Sequence, residues 1–153
     1  HVEMRPIDSI RPYENNPRLN DAAVDAVAKS IQAYGFRQPI VVDEQDVIIV
    51  GHTRYKGALK IGMTEVPVHV ARGLTAAQAR AYRIVDNQTA TIATWDEDKL
   101  PLELAALQGL DFDLDLLGCS VHLWLLSGPA RELKKPPGGR LLSARGWSTC
   151  TTK

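Results

Sequence analysis

Four short apolar runs along the chain predict β-strands, at residues 2–7, 40–42, 47–50 and 65–70. Turn-forming residues 43–46 separate the second run from the third, which indicates a β-hairpin. Because proline lacks the N–H that a strand ladder uses, Pro67 favours an edge position for the fourth strand.

Apolar residues spaced three and four positions apart predict helices between these strands. The first helix follows Asn20, a good N-cap residue, and ends at Gly35. A second helix covers residues 52–61 and ends at Gly62. The first helix carries one apolar stripe that is predicted to be buried, made of Val24, Val27, Ile31 and Tyr34.

Two more helices are predicted in the second half of the chain. Thr75 and Gln78 form a capping box, and the helix that they open runs to about Asp86. Acidic residues 95–98 open a fourth helix, which Pro101 delays or kinks. Its apolar positions are Leu100, Leu104 and Leu107. Strands and helices that alternate in this way predict a compact α/β domain.

The charge of the chain changes sign near Cys119. Residues 1–119 contain 12 Lys and Arg against 17 Asp and Glu, a net charge of −5, whereas residues 120–153 have a net charge of +5. The second region also carries Pro and Gly at 136–139 and no regular period. We therefore expect a folded domain at residues 2–118 and a poorly ordered basic tail at 119–153. An acidic domain argues against a broad DNA-binding face, so any anion site in it is local.

Several classes of protein are excluded by the composition. No stretch has the roughly 18 uninterrupted apolar residues of a membrane helix, and residues 1–10 lack the order of a secretory signal. The two cysteines, Cys119 and Cys150, form no paired motif, and the four histidines have no metal-ligand spacing. We expect a cytoplasmic protein without a disulfide framework or a zinc site.

Residues 51–54, Gly-His-Thr-Arg, lie where a buried strand gives way to a helix. Backbone N–H groups at such a junction point outward with the positive end of the helix dipole behind them, which suits an anion. Arg54 adds a bidentate donor for a phosphate oxygen, and Thr53 adds a hydroxyl. The alternative is an ordinary strand-to-helix turn with a solvated arginine.

Three other segments carry groups that suit a nucleotide. Arg18, in a loop held by a proline, is a second candidate for a phosphate, although an ordinary surface loop explains it equally well. Arg37 and Gln38 lie on a loop fixed by a glycine and a proline. Asp86 and Asn87 offer hard oxygen ligands for Mg²⁺, or simply end their helix.

The order of these motifs is more specific than any one of them. It reads Asn-Pro-Arg at 16–18, Gly-Phe-Arg-Gln-Pro-Ile-Val-Val at 35–42, Ile-Val-Gly-His-Thr-Arg at 49–54 and Asp-Asn-Gln at 86–88. This set resembles the N-terminal domain of the ParB family, in the ParB/sulfiredoxin superfamily, over about residues 2–118. The resemblance implies an α+β fold with a small mixed sheet and three to four helices.

The resemblance also implies a ligand, a nucleoside triphosphate, CTP in ParB proteins, bound with Mg²⁺ and slowly hydrolysed as a switch for clamping on DNA. The residues that match the metal segment are Asp86 and Asn87. Those that match the nucleotide and phosphate segments, with the loop arginine added, are Arg18, Gly35, Arg37, Gln38, Pro39, Ile40, Gly51, His52, Thr53 and Arg54.

This chain departs from the family pattern at several positions. His52 and Thr53 replace the glutamate and the first arginine of the usual Gly-Glu-Arg-Arg, and the arginine of the usual Glu-Asn-x-x-Arg is also absent. Sulfiredoxin chemistry needs a cysteine at the position of His52, so that reductase activity is excluded.

A similar order of motifs precedes phage and prophage DNA methyltransferases. The Asp-Pro-Pro-Tyr motif of the methylase is absent here, so we expect an accessory module that acts in DNA transactions, on DNA directly or through a methyltransferase partner. The resemblance leaves a homodimer open. Two alternatives remain, a metal-dependent nuclease or NTPase that uses the same site, and a non-catalytic DNA- or partner-binding domain with a vestigial site.

Overall fold

The structure, a computed structural model, describes residues 1–117. Its strands are β1 (Val2–Pro6), β2 (Ile40–Val42), β3 (Ile48–Val50) and β4 (Glu65–Val70), and its helices are α1 (Val24–Tyr34), α2 (His52–Lys60), α3 (Ala76–Ile92) and α4 (Lys99–Gly109). The predicted α/β class and its elements are thus confirmed. The predicted basic tail at 119–153 lies outside the described residues. Within residues 1–117, no helix is long and apolar enough to cross a membrane.

The four strands form one mixed sheet in the order β1-β4-β2-β3. β2 and β3 are the predicted antiparallel hairpin, and β4 runs parallel to β2 and antiparallel to β1. The predicted edge position of Pro67 is therefore wrong, because β4 is an inner strand. The ladder between β4 and β2 begins at Val68, which pairs with Ile40, so Pro67 lies just before it and its missing N–H is tolerated there.

Helices cover both faces of the sheet. On one face, Ala58 of α2 joins the buried cluster formed by the strand residues Ile40, Val42, Ile48, Val66 and Val68. On the other face, Ala79 of α3 packs with Ile49 and Val50. β3 contributes to both clusters, which is why its sequence is apolar throughout rather than alternating. This strand leads directly into the candidate site.

The start of α1 differs from the prediction. Asn20 does not cap this helix: a 3-10 turn covers Asp21–Ala23, α1 begins at Val24, and Asn20 makes no capping hydrogen bond with its side chain. Within the predicted stripe only Ile31 is buried. The ring of Tyr34 is exposed and stacks on Phe112, with the ring centroids 6.5 Å apart.

The later helices also correct the sequence-based boundaries. α3 continues to Ile92, so Asp86 lies inside it rather than at its end, because no glycine or proline stops the helix there. The predicted capping box of Thr75 and Gln78 is present. Pro101 does not delay α4, which begins at Lys99, since the proline lies in the first turn, where its N–H would have no helical partner.

Candidate functional site

The junction between β3 and α2 has the geometry that the sequence predicts. Gly51 lies between them with φ at 105°, a conformation that residues with a Cβ rarely adopt. Among residues 1–117, no side chain caps the start of α2. The first N–H groups of this helix are therefore available to an anion, with the positive end of the helix dipole behind them.

Arg54 connects this junction to the loop that follows α1. Its Nη1 donates to the backbone oxygens of Gln38 at 2.9 Å and Pro39 at 2.8 Å. Burial lowers the pKa of Arg54 from its ordinary value, and the carboxylate of Asp86 opposes that change. The guanidinium is thus held in place, cationic, and close enough to Asp86 to interact with it.

The loop after α1 borders a cavity of about 360 Å³. Gly35 ends α1, and its N–H donates to the backbone oxygen of Ile31. Arg37 folds back, with Nε donating to the backbone oxygen of Tyr34 at 2.6 Å. Gly35, Arg37 and Gln38 line the cavity together with Arg54. The side chain of Ile40 is fully buried in the sheet, so only its backbone is available to a ligand.

A second cavity, of about 240 Å³, brings the remaining predicted residues together. Thr53 lines it beside Arg54, which also borders the cavity of the loop after α1. Segments far apart in sequence thus meet around one space. We call it the phosphate cavity; the predicted site residues that line it are Arg18, Gly51, His52, Thr53, Arg54, Asp86 and Asn87.

His52 has a structural role within this cavity. Its ring is buried, and Nε2 accepts a hydrogen bond from the backbone N–H of Tyr13 at 3.2 Å. Burial, with the positive charges of Arg83 and Lys56, lowers the pKa of His52 to about 4. The ring is therefore neutral at pH 7 and holds the loop at Tyr13 against the start of α2.

Asn87 contacts a candidate phosphate residue directly. Nη1 of Arg18 donates to its side-chain Oδ1 at 2.9 Å and to its backbone oxygen at 3.3 Å. The Nδ2 of Asn87 donates to the backbone oxygen of Arg83 one turn earlier in α3, at 2.7 Å. The amide is thus fixed with its oxygen toward Arg18.

Sequence reasoning missed Asn20 as a site residue. Its side chain lines the phosphate cavity and is only 8% exposed, and its Oδ1 has no hydrogen-bond partner among the described residues. Buried polar atoms nearly always have partners, so this oxygen suits a donor supplied by a ligand, an ion or water. The only sequence signal was its position two residues after Arg18.

These groups fit a polyphosphate. Two arginines, an uncapped helix start and an unpaired buried polar atom line one space, and Asp86 and Asn87 offer hard oxygens suited to Mg²⁺. Within residues 1–117 no three His, Cys, Asp or Glu side chains lie close enough to hold a metal. The arrangement suits an ion that takes most of its ligands from phosphate and water, and it does not suit a two-metal nuclease centre.

Known proteins match both the sequence and the fold. The family model for the ParB N-terminal domain matches residues 1–88. The chain is 37% identical over 75 residues to the ParB-like nuclease domain-containing protein YnaK of Escherichia coli K12, covering 48% of this chain and 86% of that protein. It is 35% identical over 112 residues to the probable chromosome 2-partitioning protein ParB of Deinococcus radiodurans, covering 69% of this chain but only 38% of that protein.

A solved structure shares the fold. It is the C-terminally truncated chromosome-partitioning protein ParB from Caulobacter crescentus complexed with CTP-gamma-S, and it superimposes with a TM-score of 0.60 at 23% identity, covering 70% of this chain and 62% of that one. The match of the family model covers more than half of the sequence and includes every predicted site residue. The chain therefore belongs to the ParB N-terminal domain family.

Proposed function

We propose that this chain is a nucleotide-binding module that acts in DNA transactions, with CTP and Mg²⁺ as its ligands. The observation that carries the proposal is the convergence of Arg18, Arg54, the uncapped start of α2 and the pair Asp86 and Asn87 on the phosphate cavity. The CTP-gamma-S bound to the Caulobacter crescentus ParB, which shares the fold, supports CTP as the nucleotide.

Each part of the site has a distinct role in this proposal. The N–H groups at the start of α2, together with Arg54 and Arg18, bind the phosphates. The cavity beside the loop after α1 receives the base and ribose, where Arg37 and Gln38 lie. Arg54 borders both cavities, so it fixes the base-binding loop relative to the phosphate-binding helix.

Asp86 and Asn87 would hold the metal. When bound, Mg²⁺ supplies positive charge that neutralises the phosphate oxygens. Since Asn87 Oδ1 also accepts from Arg18, an ion on that oxygen requires Arg18 to turn toward the phosphate instead. Binding of the nucleotide and the metal is therefore expected to be mutually dependent.

DNA is the proposed partner, contacted directly or through a DNA methyltransferase. The proposal of a methyltransferase partner rests on the order of the sequence motifs alone. The chain covers 38% of the Deinococcus radiodurans ParB, so functions of that whole protein are not transferred. The nuclease alternative is less favoured, because the described residues hold no cluster of carboxylates for two metals.

The test is calorimetric titration of the protein with CTP, ATP and GTP in the presence of Mg²⁺. We expect CTP to bind and Arg54→Ala to abolish binding. Lys60→Ala is the matched control, because Lys60 is an exposed cation on the same helix that pairs with Asp25 outside both cavities. The proposal fails if none of the three nucleotides binds, or if Arg54→Ala and Lys60→Ala bind equally well.

A further inference from the structure

Arg83 is a buried cation in the middle of α3. Its side chain is only 4% exposed. Nε donates to the backbone oxygen of Ile48 at 3.0 Å, and Nη2 donates to Asp43 Oδ2 at 3.1 Å. Its guanidinium carbon lies 4.1 Å from the centroid of the Tyr13 ring. A charge buried this deeply is stable only when such partners surround it.

Two of these partners, Ile48 and Tyr13, lead to the candidate site. Ile48 opens β3, the strand that Gly51 follows. Tyr13 donates its backbone N–H to His52 at the start of α2. The backbone oxygen of Arg83 itself accepts from the side chain of Asn87. Arg83 is thus a residue through which α3 contacts both the strand and the loop that carry the phosphate segment.

Besides Arg83, the packing of Ala79 on β3 and the hydrogen bonds from Arg18 to Asn87 hold α3 in place. Of its residues only Ala79 and Arg83 are buried, and Ile84 and Val85, which follow Arg83, are exposed. Asp86 and Asn87 come three and four positions after Arg83, so they lie one turn further along the same face. The position of these two residues therefore depends on where Arg83 is anchored.

We infer that Arg83 is a positioning residue that fixes α3 on β3 so that Asp86 and Asn87 face the phosphate cavity. The inference rests on the proposed function for its ligand, since the ion placed there is the Mg²⁺ of a bound nucleotide. In metal sites, residues that do not touch the ion often orient the groups that do. Arg83 would orient Asp86 and Asn87 in this way.

The first test compares CTP affinity with Mg²⁺ and with EDTA. Arg83→Met is expected to lower the affinity measured with Mg²⁺ by about tenfold or more, as outer-shell substitutions do at metal sites. The affinity in EDTA should change far less, because Arg18, Arg54 and the start of α2 remain. Arg80→Met is the control, as an exposed arginine one turn earlier in the same helix. Equal losses with Mg²⁺ and with EDTA would indicate general damage and overturn the inference.

A second measurement does not need a nucleotide. Hydrogen exchange of backbone amides should become faster in residues 84–92 of Arg83→Met and remain unchanged in α2. If the wild-type protein binds no nucleotide, the proposed function fails, and this exchange pattern still decides the role of Arg83. Unchanged exchange in residues 84–92 would overturn it.

Tyr13 supplies a milder variant in case Arg83→Met does not fold. Tyr13→Leu removes the ring that covers the guanidinium. It leaves the backbone N–H of residue 13, which donates to His52 Nε2. It should lower the CTP affinity measured with Mg²⁺ and speed the amide exchange of residues 84–92, both less than Arg83→Met does. Tyr13→Phe, which keeps the ring, should change neither quantity. Identical behaviour of the two Tyr13 variants would also count against the inference.

Discussion

Arg18 and Asn87 are 69 positions apart in the sequence, yet the guanidinium of one donates to the side-chain oxygen of the other at 2.9 Å. The two residues were predicted to bind different parts of one ligand, a phosphate and a metal ion. A cation on Asn87 Oδ1 and the Arg18 guanidinium cannot share that oxygen favourably, because both are positive. Arg18 therefore takes the place of the proposed metal ion on Asn87 Oδ1, and it is also a proposed hydrogen-bond donor to the phosphate.

Replacing Arg18 by alanine should separate these two roles. Without Mg²⁺, Arg18→Ala is expected to weaken CTP binding about tenfold, the loss typical of one hydrogen bond to a charged group. With Mg²⁺ alone, the NMR signal of the Asn87 side-chain amide should shift in Arg18→Ala and not in the wild-type protein, since the oxygen is then free of its arginine. Arg72→Ala, an exposed arginine outside the phosphate cavity, should behave like wild type. A shift of the same size in all three proteins would show that Arg18 and Mg²⁺ do not compete for Asn87 Oδ1.

A side chain at Gly51, in the junction between β3 and α2, is expected to destabilise the folded protein. A Cβ there would lie 3.4 Å from Ile40 Cγ1, and φ is 105°. Gly51→Ala should therefore lower the free energy of unfolding by about 1–2 kcal/mol, chiefly through backbone strain. Gly109→Ala is the control, because Gly109 ends α4 without a positive φ and has open space around it. Urea denaturation measures both variants, and an equal effect in the two would show that Gly51 is not strained.

The buried ring of His52 predicts a pH dependence of stability. Its pKa is about 4 in the folded protein, below the ordinary value of 6.5, so folding favours the neutral ring. This contribution to stability is complete above about pH 6.5 and is lost as the pH falls from there to about 4. Urea denaturation across this pH range should show that the free energy of unfolding declines in the wild type and declines less steeply in His52→Gln. If the free energy of unfolding of His52→Gln declines as steeply as that of the wild type, His52 does not cause the pH dependence.

Local signals were enough to predict most of the fold. The hairpin of β2 and β3 and the junction at Gly51 follow from apolar runs, turn residues and a glycine that are adjacent in sequence. The position of Pro67 in an inner strand could not be predicted in this way. Strand order depends on pairing between distant segments, and the register with β2 places the proline just before the ladder begins.

The parts of the site that depend on long-range contacts were predicted less well. Arg83 is 35 and 40 positions away from the strand and turn residues that it binds, so no local pattern indicates its burial. Asp86 and Asn87 line the phosphate cavity, but the sequence analysis places them at a helix end, although no glycine or proline stops the helix before Ile92. Periodicity shows which face a residue occupies but not what that face contacts.

The side chain of Asn20 is expected to lower the stability of the folded protein and to support binding of the ligand. Its buried Oδ1 lacks a partner among the described residues, and an unsatisfied buried acceptor costs about 1–3 kcal/mol. Asn20→Leu, which removes the polar atoms at similar volume, should therefore leave the free energy of unfolding unchanged or raise it, while CTP affinity falls. Asn15→Leu, at an exposed position outside the phosphate cavity, should alter neither. Urea denaturation and calorimetry on the same samples measure both quantities. A variant at Asn20 that loses stability and keeps full CTP affinity would show that the side chain supports the fold and not the ligand.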